Sequence, residues 1–165
     1  MKSGVKTKRS ETDPKYKKAI DSVLNPTVQV IEGKLLAEHN LATSSIDSSD
    51  GLAKSLKDLS ISNGNLGFEI DFRKIPVEEV VKDYSKNYNI PIEKLVLNGG
   101  EEFVHIFIID PNNLSEAIKL IADHKGSLIP IGRVIAENKI YIIKDDEREI
   151  LKEFGYEHFL TTRKK

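Results

Sequence analysis

The sequence predicts an α+β fold, a layered α/β sandwich in which helices pack on a mixed sheet. Residues 66–73 alternate between apolar and polar side chains, which is typical of a strand with one buried face and one wet face. Residues 103–109 are nearly all apolar, which predicts a strand covered on both faces. Helical segments separate these strands, and two more strands follow near the end, so we expect a mixed sheet.

The first half of the chain predicts an arm, two helices and a strand-to-helix turn. Residues 1–13 are polar and rich in lysine, and they predict a flexible arm. Helices are expected from Pro14 and from Pro26, because apolar residues then recur at helical spacing and proline suits a first helical turn. A short strand ending at Asp47 then leads into a helix that begins at Leu52.

The second half of the chain predicts further helices and a late hairpin. Helices are expected over residues 75–88 and 111–126, and a short turn or helix over residues 91–97; each segment has a proline as its first or second residue. Residues 128–135 and 139–143 predict two strands joined by a tight turn. Residues 146–154 predict a last short helix.

Composition excludes several classes of protein. The 165 residues include 25 Lys and Arg against 26 Asp and Glu, and this net charge of -1 argues against a nucleic-acid-binding protein. No apolar run approaches the roughly 20 residues that span a bilayer, so we expect no membrane partner. The chain has no cysteine, which excludes disulfides and thiolate zinc sites and fits a cytoplasmic protein.

The strand-to-helix turn carries the residues best suited to a ligand. Asp47, Ser48, Ser49 and Asp50 precede Gly51 there. A helix start presents unpaired N–H groups and a positive dipole, which favour phosphate oxygens, and carboxylates are ligands that magnesium prefers. The residues alone leave a second interpretation open, in which Ser48 or Ser49 only caps the helix and Asp50 only complements its dipole.

Several separated motifs together resemble one enzyme family. These are Ile-Asp-Ser-Ser-Asp-Gly-Leu at 46–52, Asn-Gly-Gly-Glu-Glu-Phe at 98–103, Ile-Gly-Arg-Val at 131–134 and Gly-Tyr-Glu-His-Phe at 155–159. In order and spacing they resemble the C-terminal half of thiamine-monophosphate kinase, within the PurM-like superfamily, which also includes aminoimidazole-ribonucleotide synthetase.

The resemblance implies a domain organisation. Residues 1–25 would be a flexible arm and linker helix, and residues 26–165 would form a domain similar to the PurM C-terminal domain. The N-terminal ATP-binding domain of the family is absent from this sequence. The resemblance therefore implies a separated C-terminal domain.

The resemblance also implies an activity, which is the transfer of the terminal phosphate of ATP to thiamine phosphate to make thiamine diphosphate. Magnesium is the implied cofactor and ATP the co-substrate. Carried over by position, Asp47 and Asp50 would bind magnesium and Ser49 would contact ATP. Glu101 and an aromatic residue, Tyr156 or Phe159, would bind the thiamine substrate, and no residue is assigned a catalytic role.

Because the N-terminal domain is missing, we expect the isolated chain to be inactive and to need an N-terminal-domain partner subunit. The family also implies a homo-oligomer.

Two alternative functions stay open. One is a non-catalytic ligand-binding or interaction module of the same fold. The other is a domain from another ATP-dependent branch of the superfamily, although the absence of cysteine argues against hydrogenase maturation and selenophosphate synthesis.

Overall fold

The computed structural model describes residues 14–26, 30–100 and 103–152. Within them lie six α-helices: α1 (Lys17–Leu24), α2 (Val30–Glu38), α3 (Leu52–Ser62), α4 (Glu79–Tyr88), α5 (Ile92–Asn98) and α6 (Leu114–Asp123). The strands are β1 (Ala42–Asp47), β2 (Gly67–Asp71), β3 (His105–Ile109), β4 (Gly132–Ile135), β5 (Ile140–Lys144) and β6 (Glu147–Ile150). The predicted arm, residues 1–13, lies outside the described residues. None of the described helices is both long and apolar enough to cross a bilayer.

The described strands form two sheets. β1 pairs antiparallel with β3, and this register sets Asp47 opposite His105. The other sheet has the order β4-β2-β5-β6, in which β2 runs antiparallel to β4 and parallel to β5, and β5 runs antiparallel to β6. These pairings confirm the predicted α+β fold with a mixed sheet.

The main core lies between the four-stranded sheet and α3. Phe68 and Ile70 of β2 are buried in it together with Leu56 and Leu59 of α3. The alternating pattern of β2 is confirmed, because the intervening Glu69 instead forms ion pairs on the polar face of the sheet. This packing fixes α3 and therefore the turn that leads into it.

β3 contacts apolar side chains on both faces, although each of its residues is only half-buried. Ile106 and Ile108 pack against the main core, whereas Phe107 and Ile109 pack against a second cluster. The buried members of that second cluster are Leu36, Leu41, Ala117 and Ile121. The prediction that β3 is covered on both faces is thus confirmed, since its side chains contact an apolar cluster on each side. The residues of β3 are not fully buried, however, because a two-stranded sheet shields them incompletely.

A 3₁₀ turn, Pro14–Tyr16, precedes α1 and contacts α4 through Tyr16. Tyr16 is buried, and its ring meets that of Tyr84 edge-on with the centroids 5.4 Å apart. Asn87 Nδ2 donates a hydrogen bond of 3.1 Å to the Tyr16 hydroxyl. The predicted helix after Pro14 is confirmed, and an aromatic contact holds it to the domain.

The predicted hairpin between residues 128–135 and 139–143 is wrong. β4 and β5 lie on opposite sides of β2 and do not pair with each other. The connection between them passes over the start of β2, where a Cβ atom on Gly67 would lie 1.9 Å from Glu137 O and 2.3 Å from Lys139 O. Each strand obtains its backbone partner from β2, a distant segment, so the local sequence could not reveal this arrangement.

The predicted helix over residues 146–154 is also wrong where the structure describes it. Residues Glu147–Ile150 form β6, which pairs with β5. The two strands are joined at Asp145 and Asp146, whose φ angles of 49° and 64° suit a tight hairpin turn. The backbone of residues 147–150 forms its hydrogen bonds with β5, and the local sequence pattern could not indicate this pairing.

The carboxyl of Asp71 should titrate below the usual range for aspartate, because hydrogen bonds from Arg73 lower its pKa. Arg73 Nε and Nη2 donate to the two carboxylate oxygens at 3.0 and 3.2 Å. A lowered folded-state pKa stabilises the protein above the unfolded-state pKa, and this stabilisation is lost as the pH falls through the folded-state pKa. We expect Arg73→Gln to raise the pKa of Asp71, as measured by NMR titration of the carboxyl carbon.

Lys74→Gln is the control for this titration, because Lys74 affects Asp71 only through its charge. It should move the pKa of Asp71 less than Arg73→Gln does. Equal shifts in the two variants would contradict the hydrogen-bond explanation.

Candidate functional site

The turn between β1 and α3 brings the predicted ligand residues to the end of the two-stranded sheet. Asp47 is the last residue of β1. The buried Ser48 follows, and its N–H donates a hydrogen bond of 2.8 Å to Val104 O just before β3. Ser49 and Asp50 are half-buried. The backbone of the turn is therefore anchored to the segment that enters β3.

Gly51 directly precedes α3, so the alternative in which Ser48 or Ser49 caps this helix is wrong. Gly51 occupies the N-cap position with φ 96°, and no side chain caps the helix. Ser48 and Ser49 lie too early to serve as the cap, and Asp50 precedes the first helical turn. The first-turn N–H groups, without a side-chain cap, favour an anionic ligand at this end of α3.

The carboxylates of Asp47 and Asp50 have the chemistry of magnesium ligands. Both side chains belong to half-buried residues, which leaves part of each residue accessible to a ligand. Magnesium commonly binds one or two carboxylates and completes its octahedron with phosphate oxygens and water, so these two groups fit such an ion. Within residues 14–26, 30–100 and 103–152, however, no three His, Asp or Glu side chains form a metal-binding group.

The second glycine-bearing motif lies directly against this turn. A Cβ atom on Gly51 would lie 3.0 Å from Gly99 O, and a Cβ atom on Gly100 would lie 2.5 Å from Ser49 O. Contacts this short require the backbones to approach without side chains between them. Two motifs that are about fifty residues apart in the sequence therefore meet at one place.

Three predicted substrate residues lie outside the described residues, namely Glu101, Tyr156 and Phe159. Gly100, which directly precedes Glu101, is described and contacts the turn. After the undescribed pair 101–102, Phe103 has a φ of 51°, a left-handed conformation that is rare for an aromatic residue. The backbone therefore changes direction at Phe103, two residues before β3.

Sequence reasoning missed Ser55, which connects both sides of the turn. Its hydroxyl donates to Asp47 O at 3.0 Å and lies 3.2 Å from Gly51 O. The signal that could have identified Ser55 is its spacing, because it lies three residues after Leu52 and four before Leu59, on the apolar stripe of α3. A buried serine on such a stripe requires a hydrogen-bond partner.

His105 of β3 lies opposite Asp47 in the strand pairing and is half-buried. Its ring meets Phe107 edge-on with the centroids 5.6 Å apart. On another side, a Cβ atom on Gly33 of α2 would lie 3.4 Å from His105 Nδ1. These contacts place the His105 imidazole between β3 and α2.

Comparisons with known proteins identify relatives of the chain, although no protein-family model matches the sequence. The thiamine-monophosphate kinase of Pyrococcus horikoshii is 37% identical over 141 residues, which cover 86% of this chain and 41% of that protein. The same enzyme from Nitrosopumilus maritimus is 29% identical over 142 residues, which cover 86% of this chain and 43% of that protein.

A solved structure supports the fold assignment. AaThiL complexed with AMPPCP and TMP superposes with a TM-score of 0.72 and 24% identity over 94% of this chain and 45% of that chain. This neighbour confirms the PurM-like fold expected from the motifs. The chain spans about two-fifths of the length of the curated relatives it matches. On the similarity of its sequence to these relatives and of its fold to AaThiL, the chain belongs to the thiamine-monophosphate kinase family.

Proposed function

We propose that this chain is the C-terminal domain of a thiamine-monophosphate-kinase-like protein, with an arm and linker helix over residues 1–25 and the domain over residues 26–165. The observation that carries the proposal is the contact between Gly100 and the turn at residues 47–51, which brings two motifs of the family together. The whole protein would use ATP to phosphorylate thiamine phosphate to thiamine diphosphate. The AMPPCP and TMP bound by AaThiL support both ligand classes.

We assign roles by chemical type and by position in the motifs. Asp47 and Asp50 would hold magnesium, and Ser49 beside the start of α3 would contact ATP. Glu101 would bind thiamine phosphate, and the ring of Tyr156 or Phe159 would pack against the cationic thiazolium. When bound, magnesium would neutralise phosphate charge and align the reacting groups.

The reaction itself requires no general base from this chain. A phosphate oxygen of thiamine phosphate would attack the γ-phosphorus of ATP, and the bond from that phosphorus to the ADP oxygen would break. The attacking oxygen is already deprotonated at neutral pH, so the protein contributes mainly positioning and charge stabilisation. This chemistry agrees with the lack of any assigned catalytic side chain.

The proposal includes a partner. Magnesium ions would have to neutralise the charge of two phosphorylated reactants, and two carboxylates provide few of the ligands that several ions need. No larger metal-binding group occurs among the described residues. Because the chain spans about two-fifths of its relatives, we assign the remaining magnesium ligands and further contacts to ATP to an N-terminal domain or partner subunit. The isolated chain would keep the contacts to ATP made by Ser49 and the start of α3. Without the remaining magnesium ligands, however, it should show no turnover, and we expect the assembled protein to be a cytoplasmic homo-oligomer.

A second candidate function is a non-catalytic binding or interaction module of the same fold. The lack of a third metal-ligating group among the described residues favours it.

Calorimetric titration with magnesium and AMPPCP tests the proposed site. Wild-type protein should bind the nucleotide analogue only in the presence of magnesium. Asp50→Asn should weaken this binding about tenfold, or about 1.4 kcal/mol, because it removes one charged magnesium ligand. Asp123→Asn, at the distal end of α6, is the matched control and should bind as wild type does.

Each outcome has a distinct meaning. Lack of magnesium-dependent binding by the wild type would favour the non-catalytic module. Equal binding by Asp50→Asn and wild type would contradict the role of Asp50. Phosphorylation of thiamine phosphate by the isolated chain at enzyme-like rates would contradict the need for a partner.

A further inference from the structure

The buried hydroxyl of Ser55 connects the two ends of the turn that carries the candidate ligands. Ser55 is 3% exposed, and its Oγ donates to Asp47 O at 3.0 Å while lying 3.2 Å from Gly51 O. The first contact joins the end of β1 to α3 across eight residues of sequence. The second is the common contact of a helical serine with the carbonyl four residues earlier.

The contact with Asp47 has a different effect from the contact with Gly51. Gly51 O also accepts a backbone hydrogen bond from Ser55 N at 3.1 Å, so it keeps a partner without the hydroxyl. On the β3 side, the peptide after Asp47 is held by the hydrogen bond from Ser48 N to Val104 O. The backbone that carries the Asp47 carboxylate is therefore fixed by β3 on one side and by Ser55 on the other.

We propose that Ser55 is a positioning residue, which holds Asp47 and Asp50 in the orientation that magnesium and phosphate require. This inference rests on the proposed function. Magnesium demands nearly ideal octahedral geometry, so small displacements of a ligand carboxylate weaken its binding. Loss of the Ser55 hydroxyl would release the turn from α3 while the apolar contacts of α3 remain.

Another buried serine on the same helix provides a matched control. Ser60 is 6% exposed and lies more than one turn beyond Ser55. Its carbonyl accepts the backbone N–H groups of Asn63 and Asn65 at the other end of α3. Ser60→Ala therefore removes a buried hydroxyl of the same kind without touching the turn.

Amide hydrogen exchange of the full chain tests the positioning role without any ligand. Ser55→Ala should accelerate exchange of the Ser48 amide at least tenfold, while amides in the middle of α3, such as that of Leu59, keep their protection. Ser60→Ala should leave the Ser48 amide unchanged, and Ser55→Thr, which retains a hydroxyl, should restore protection. Unchanged Ser48 exchange in Ser55→Ala, or equal acceleration throughout α3, would overturn the proposal.

Binding of magnesium and AMPPCP provides the second measurement. Ser55→Ala should bind about tenfold more weakly than wild type, whereas Ser60→Ala should bind equally well. Wild-type protein that fails to bind would contradict the proposed function, and the exchange of the Ser48 amide would still decide the role of Ser55. Equal binding by Ser55→Ala and wild type would overturn the positioning role.

Discussion

Gly67→Ala is expected to destabilise the protein by about 3 kcal/mol, near the upper end of the usual cost of overpacking. Its Cβ atom would lie 1.9 Å from Glu137 O and 2.3 Å from Lys139 O, where the connection from β4 to β5 passes β2. These oxygens belong to backbone that cannot move freely, because Lys139 O accepts a hydrogen bond of 3.0 Å from Phe68 N. Either the β2–β5 pairing opens or the connection shifts outward.

Denaturant unfolding measures this change, and Gly64→Ala is the control. Gly64 lies three residues earlier, where a new methyl group would meet no atom within 4 Å, and its φ of 75° alone costs an alanine about 1 kcal/mol. Gly67→Ala should therefore lose clearly more stability than Gly64→Ala. Equal losses would mean that the connection does not cross β2 as closely as the structure shows.

Gly100→Ala is expected to abolish measurable magnesium-dependent binding of AMPPCP. The new methyl group would lie 2.5 Å from Ser49 O and 3.5 Å from the Cα of Asp50, so it would force the two motifs apart. Because Ser49 and Asp50 are proposed ligand residues, their displacement would affect binding more than the loss of a single carboxylate. We also expect a loss of stability of about 1–3 kcal/mol from the clash.

Calorimetric titration and thermal unfolding of the same samples separate the two effects of Gly100→Ala. Gly33→Ala is the control, because its methyl group would meet the His105 ring at an ordinary contact distance of 3.4 Å. It should bind as wild type does. Binding by Gly100→Ala at wild-type strength would show that the contact between the motifs is irrelevant to the ligand.

The candidate site could be predicted in part from sequence. The strand ending at Asp47 and the helix from Leu52 were predicted correctly, because local apolar spacing determines both elements. The helix cap was not, since Gly51 has a positive φ and lies against the backbone of Gly99, a contact between segments far apart in the chain. Ser55 escaped prediction for a related reason, because its partner Asp47 O is fixed by the packing of α3 on β1.

The elements of the fold were also predicted only in part. The alternation in residues 66–73 indicated β2 and its buried face, since a strand with one wet face needs no knowledge of its neighbours. The late hairpin and the last helix were wrong, because β2 lies between β4 and β5 and because β6 completes the edge of β5. Strands pair with segments that are far apart in the chain, and the local periodicity of a strand does not indicate which segment it pairs with.

By itself the sequence determined the class of fold, the turn at residues 47–51 and the motifs that place the chain in its family. Only the tertiary structure decided that Gly100 lies against Ser49, that β2 separates β4 from β5, and that Ser55 holds the turn. The physical reason is the distance along the chain over which each interaction acts. Propensity and spacing act over a few residues, whereas contacts between backbones and between strands depend on how the whole chain packs.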